Sequence, residues 1–209
     1  MFCQLFVQKG IYMKKVTQGT LIYGMRSSKY PGIMTYGIII SAACDLAQDK
    51  ITKVFHLTAI PLKDWLCSNE GFHIVTTAPA KNCKNSIVKT LEKYGLAWDV
   101  FQTLSQEEFE TVATANGMAK NDKQTIVNQY EKYQRLAKEN QTLQEKTAIY
   151  KSEHKAVEGF LGELFNGGNT HYVFVPQQAL SEQLSIGMGL VVDLLELDFL
   201  EEECFLLLR

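Results

Sequence analysis

Lys53-Val54-Phe55-His56-Leu57-Thr58-Ala59-Ile60-Pro61 is the stretch on which the fold turns. β-Branched and aromatic residues fill its first part, so Lys53 to Thr58 reads as a strand, and Pro61 ends it. Upstream, Thr20-Leu21-Ile22-Tyr23 and Tyr36-Gly37-Ile38-Ile39-Ile40-Ser41 have the same character, separated by the turn-rich segment Ser27 to Gly32. Downstream, Phe72 to Thr77 is expected to add a strand before Pro79. The β signals return only at His171-Tyr172-Val173-Phe174-Val175-Pro176 and Gly189-Leu190-Val191-Val192-Asp193-Leu194.

Between Lys84 and Asn166 the period is helical. A helix is expected from Asn85 or Ser86 to Tyr94, with Gly95 where a left-handed C-terminal cap sits. Ser105 followed by Glu108 forms a capping box for a second helix that stops near Gly117. A third, long helix is expected from Asn121 or Asp122 to the turn Asn166-Gly167-Gly168-Asn169, because no Pro or Gly interrupts it before Gly159 and Ile126, Tyr130, Tyr133, Leu136, Leu143, Val157, Phe160, Leu161 and Leu164 recur near helical spacing. Its stretch Glu139 to Lys155 carries charges of both signs. It reads as a solvated arm or, alternatively, as a coiled-coil or partner-binding stripe. Asp193, Glu196, Asp198, Glu201, Glu202 and Glu203 precede Phe205-Leu206-Leu207-Leu208, which reads as an amphipathic closing helix or a docking segment for a partner. The division expected is therefore a β part over 13–83, a helical insertion over 84–166 and closing strands with an acidic helix over 167–209, with residues 1–12 as an extension.

Of 209 residues, 46% are hydrophobic and 21% charged, so a core is affordable and global disorder is excluded. A net charge of −2 supplies no field for phosphate backbones, and RNA attraction would need a local patch. The five cysteines, Cys3, Cys44, Cys67, Cys83 and Cys204, are odd in number and show no C-x-x-C spacing. Free thiols in a reducing, cytoplasmic location are expected, with no membrane span and no cofactor.

Cys44-Asp45 follows the central strand closely. Cys44 is a candidate nucleophile with His56 as its base, or else a small structural thiol beside a turn-capping aspartate. Cys44, His56, Cys67 and His73 match no compact zinc knuckle, so no metal is expected. Gly187-Met188-Gly189 precedes a strand rather than a helix and is not a phosphate loop.

The order Gln18 to Tyr23, a turn-rich loop, Gly37 to Ser41, then Val54 to Pro61 resembles the N-terminal half of the MazF/PemK-like toxins. In those small SH3-like barrels a "GD-hydrophobic" strand, a Gly-rich loop, a "VVVSN"-like strand and a "V-x-PxT"-like strand follow in that order. Tyr172 to Pro176 and Ser185 to Asp198 look like that family's closing strands and terminal helix. The resemblance implies an α+β fold, a small SH3-like β-barrel split by a long, hairpin-like helical insertion. It also implies an RNA-engaging protein of a toxin–antitoxin or phage-defence system, with endoribonuclease activity. The family's Arg-Pro pair is replaced here by Thr35-Tyr36-Gly37, which removes its catalytic cation. Arg26 is the candidate replacement, and Thr58 stands where the family's second catalytic hydroxyl falls. Internal attack on RNA needs a base at the 2′-OH and a cation at the phosphate, so Arg26, His56 and Thr58 are the catalytic candidates, with Cys44 and Asp45 behind them. The competing reading is a non-catalytic adaptor that holds a protein partner through the helical arm and the acidic C-terminal segment. The partner is then RNA or a protein encoded nearby, and a homodimer is a further arrangement this allows.

Overall fold

A computed structural model describes residues 17–47, 53–180 and 186–201. They divide into two units: one built from the chain up to Glu70 together with Leu161 onward, the other from Gly71–Phe160. The first unit holds strands β1 (Leu21–Met25), β2 (Thr35–Ile39), β3 (Lys53–Pro61), β4 (Tyr172–Pro176) and β5 (Gly189–Glu201), with helices α1 (Ala43–Ala47) and α2 (Leu62–Cys67). The strands form one antiparallel sheet in the order β1-β2-β3-β5-β4. That sheet is open: β1 and β4 are its edges, and the closure of a barrel is not among its pairings. The chain is therefore α+β.

Both sheet faces are apolar. On the inner face Ile22, Met25, Ile39, Val54 and Leu200 pack with Leu46 of α1. On the outer face Tyr36, Ala59, Leu190 and Val192 form a second cluster, covered by Leu180 and Ile186 from the β4–β5 connection.

The acidic segment is a strand where a closing helix was expected. Leu and Glu are good helix formers, but propensity differs by only a few tenths of a kcal/mol per residue, and the long β3 supplies a pairing partner through the register Lys53↔Glu201 to Leu57↔Leu197. Residues 202–208 of that expectation lie outside the described residues. Phe72 to Thr77 is likewise not a strand but the beginning of helix α3 (Asn69–Glu92), which contains Pro79. Phe72, Val75, Thr76, Pro79, Cys83 and Ile87 are buried along one stripe of that helix. This is a 3.6-residue period that β-branched Val75, Thr76 and Thr77 disguise.

The remaining helices are α4 (Trp98–Phe101), α5 (Gln106–Ala115), α6 (Lys120–Ala137), α7 (Leu143–Ser152) and α8 (His154–Phe165). Gly95 at φ +70 ends the turn after α3, as its position implied, and the Leu96 N–H returns to the Leu91 carbonyl. Ser105 and Glu108 form the expected capping box of α5.

The single long helix, by contrast, is broken into α6, α7 and α8. Asn140 takes φ 52, the Gln141 amide donates to the carbonyls of Arg135 and Lys138, and Thr142 with Glu145 forms a second capping box that starts α7. Nor is Glu139 to Lys155 a solvated arm throughout. Ile149 of α7 packs with Phe72, Cys83 and Leu136, and Lys146 is buried with its ammonium 5.8 Å from the Phe72 ring centroid. A second cluster, Ile87, Leu91, Phe101, Phe109, Ala113, Met118 and Ile126, joins α3 to α6. Removing either cap tests these starts. Ser105→Ala and Thr142→Ala are each expected to cost about 1 kcal/mol in denaturant unfolding followed by helical circular dichroism, and a change near zero would deny the box.

Candidate functional site

The inner face carries a row of opposed residues, Ile22, Gly37, Thr58, Asp193 and Tyr172, one from each strand. Next to it lies Ile39, His56, Asp198. The two rows are adjacent on β3 but not on β5, because Thr58 pairs with Asp193 while Leu57 pairs with Leu197. Leu194, Leu195 and Glu196 bulge out between them.

Asp193 has 0% exposure and is the centre of the row. Its Oδ2 accepts from Lys29 Nζ at 2.7 Å and from the Tyr30 hydroxyl at 2.6 Å, and its Oδ1 accepts from the Leu195 N–H at 3.0 Å. Lys29 also pairs with Glu70 Oε1 at 3.1 Å, which in turn accepts from the Tyr172 hydroxyl at 2.9 Å. The Trp65 ring lies 5.1 Å from that of Tyr172. Lys29 and Tyr30 reach the row because Ser27 shapes their loop. The Ser27 Oγ accepts from the N–H groups of Lys29 and Tyr30 and donates to Glu196 Oε1 in the bulge.

The charge states follow from these contacts. Burial disfavours the Lys29 ammonium, but hydrogen bonds to Asp193 and Glu70 outweigh it and hold its pKa above the ordinary lysine range. Burial, then the Asp193 carboxylate, raises both phenols, and Tyr172 is pushed up to about 12. At neutral pH Lys29 is thus an ammonium and the two phenols are neutral.

His56 is 2% exposed, and neither ring nitrogen has a hydrogen-bond partner. Burial lowers its pKa, with Asp198 opposing, so the ring is neutral. Gly37 leaves room for it, since a Cβ there would stand 3.1 Å from both Cγ and Nδ1 of the ring.

No family model, no curated protein and no solved structure matches this chain. The site is therefore read from its own geometry.

Of the residues singled out in the sequence, the structure brings His56 and Thr58 onto one face, both buried, with Thr58 directly opposite Asp193. Arg26 is exposed past the end of β1 and has no hydrogen bond or ion pair among the described residues. Cys44 and Asp45 lie in α1 rather than at a strand end, with Cys44 exposed and its Sγ 3.6 Å from Asp45 Oδ1. Among the described residues no three His, Cys, Asp or Glu side chains converge on a metal-sized site.

Asp193, Lys29, Tyr30, Tyr172 and Glu70 were not legible as a group. The one available signal was an aspartate inside the apolar run Leu190 to Leu195, since a charge in such a run is buried and must be paired.

Glu196 is the weak member of this face. Its Oε2 is buried without a partner, and burial foremost, with the Asp193 charge, raises its pKa against the Ser27 hydrogen bond and Lys29. Glu196→Gln keeps an acceptor for Ser27 and removes the buried charge. It is expected to be neutral or stabilising by up to about 1 kcal/mol in urea unfolding; a loss larger than that would show that the charge matters.

Proposed function

We propose that this chain is a non-catalytic protein-binding module that docks through the uncovered part of its outer sheet face. The observation that carries this reading is a continuous apolar surface at one end of that face. Leu21, Ile38, Leu57 and Leu197 are opposed across four strands, and beside them lie Ile40, Phe55 and Phe199. Ile40, Phe55, Leu197 and Phe199 are 38%, 42%, 56% and 40% exposed. An antiparallel sheet ordinarily turns one face to its core and a polar face to water. Here the second face is apolar as well, and apolar patches of this kind mark interaction sites.

Two features weigh against catalysis at the inner-face row. General acid–base work needs a group that gives or takes a proton near the operating pH, whereas Lys29, Tyr30 and Tyr172 are held protonated. Ribonuclease action, which the toxin resemblance implies, also needs a cation at the scissile phosphate. The exposed Arg26 is not joined to the buried His56 and Thr58 by any hydrogen bond.

A photoreactive amino acid at position 197, in the full chain expressed in cells, tests the proposal. Adducts to protein are expected, with none from the same label at the exposed position 107. Adducts to RNA, or cleavage of single-stranded RNA by the purified chain, would replace the adaptor reading with RNA engagement.

A further inference from the structure

We propose that His56 is an acid-sensitive latch on β5: proton uptake by its ring drives the side chain out of the inner face and frees Leu197 to Leu200 from β3. The inference is independent of what docks on the outer face.

The neutral ring is held without polar compensation. His56 is 2% exposed, and among the described residues neither nitrogen has a hydrogen-bond partner. Its neighbours on the inner face, Ile39, Val54 and Leu200, belong to an apolar cluster that β1 completes with Ile22 and Met25 and α1 with Leu46. Gly37 of β2 fits against the ring only because it has no Cβ. An imidazolium in this place finds no acceptor for either N–H, and an unpaired buried charge is expelled rather than kept.

Asp198 supplies the way out. It stands opposite His56 on β5, it is exposed, and its charge favours the imidazolium. Gly37 and Ile39 from β2, Met25 from β1 and Leu46 from α1 bring no charge to this place. Of the nearby carboxylates, Asp193 is engaged by Lys29 and Tyr30 and Glu196 by Ser27. The charged ring is therefore stabilised beside Asp198 at the surface, and its departure leaves a hole between β3 and β5.

The second half of β5 is placed to respond. Gly189 to Asp193 pairs with both β3 and β4, whereas beyond the bulge Leu197 to Leu200 pairs with β3 alone among the described residues. The Ile40 N–H donates to the Phe55 carbonyl, so Phe55 turns its backbone groups to β2 and His56 turns its own to β5. His56 and Asp198 thus exchange ladder bonds that hold this half. The Phe199 N–H faces the open side and is taken by Asp198 Oδ1.

Burial lowers the His56 pKa below the 6.5 of a solvated ring. Below pH 6.5 the released form binds the extra proton, so release is favoured as pH falls and the latch holds above that value. Glu196 acts in the opposite sense, since burial raises its pKa and the folded form takes up its proton first. His73, His154 and His171 are exposed.

Hydrogen exchange of the full chain, read by NMR as protection factors at pH 7, 6 and 5, tests the latch. The Asp198 and Leu200 amides are expected to lose roughly tenfold to thirtyfold in protection between pH 7 and 5, the most that one linked proton allows. Val191 and Asp193, before the bulge, should keep theirs. His56→Gln and His56→Leu carry no titrating group and are expected to hold Asp198 and Leu200 protected throughout. Unchanged protection in the wild-type chain overturns the inference, as does an equal loss in the variants. A loss shared by Val191 and Asp193 also overturns it, because the whole sheet is then unfolding. Should neither variant fold, the imidazole resonances of the wild-type chain decide. A His56 ring that takes its proton only as Asp198 loses protection supports the latch, and one that titrates with the exposed histidines while Asp198 stays protected overturns it.

Discussion

Asp193→Ala is expected to cost the sheet unit about 3–5 kcal/mol, the range for breaking a buried ion pair by removing one partner. The carboxylate is fully buried and takes hydrogen bonds from Lys29, Tyr30 and the Leu195 N–H. Without it the Tyr30 hydroxyl loses its acceptor in a dry site, and the bulge loses the bond that shapes its start. Lys29 is 29% exposed and keeps Glu70, so its ammonium recovers some hydration and the lower half of the range is favoured. For a domain stable by roughly 5–15 kcal/mol this is a large fraction of the total. Asp193→Asn should cost less, because it retains an acceptor for Tyr30 while giving up the charge opposite Lys29. Urea unfolding followed by circular dichroism and tryptophan fluorescence, with Trp65 as the local reporter, measures both. An alanine variant as stable as the parent would mean that the row is not what anchors the β1–β2 loop to β5.

The same row makes the protein sensitive to alkali. Tyr172 is 1% exposed, and its pKa rises from 10.0 to about 12. Above pH 10 the unfolded chain has released this phenolic proton while the folded chain still holds it, so the unfolded state binds fewer protons and stability falls as pH rises. The contribution is fully present below pH 10 and is lost by about pH 12. For this one residue it amounts to about 2–3 kcal/mol. Lys29 and Tyr30 are shifted in the same direction and steepen the loss. The expected result is a cooperative loss of sheet structure on titration from about pH 9 to 12, with late, coupled ionisation of the buried tyrosines in the phenolate absorbance. Tyr172→Phe should lower stability at neutral pH, through the lost bond to Glu70, and flatten the alkaline slope. A stability curve flat through pH 12 would contradict the buried, carboxylate-paired placement of these phenols.

How far the candidate site could be read in advance depends on where each residue's partners lie. His56 and Thr58 are two residues apart on a strand, so their shared face follows from the pleat alone. Arg26 was drawn to them by analogy with a barrel, and nothing local joins a residue past the end of β1 to the middle of β3. Lys29 and Asp193 are separated by most of the chain, and neither stands in a motif. Their meeting requires the loop conformation set by Ser27 and the strand register that puts Asp193 opposite Thr58. The acidic segment misled for the same reason. Its six acids look alike in order along the chain, yet Asp193 is at the centre of the buried row, Glu196 lies in the bulge and Asp198 is exposed beside His56.

What this sequence determined by itself is local: the strands at Leu21, Thr35 and Lys53, where β-branched runs meet Gly and Pro punctuation, and helix ends such as Gly95 and the Ser105 box, where a single side chain or a positive φ satisfies backbone groups within a few residues. The tertiary structure alone decided the rest. β5 is a strand because β3 offers it a ladder, and α3 is one helix from Asn69 because Phe72 and Cys83 find Leu136 and Ile149 to pack against. Propensities of a few tenths of a kcal/mol per residue yield to burial worth several times as much, and burial depends on neighbours distant in the chain.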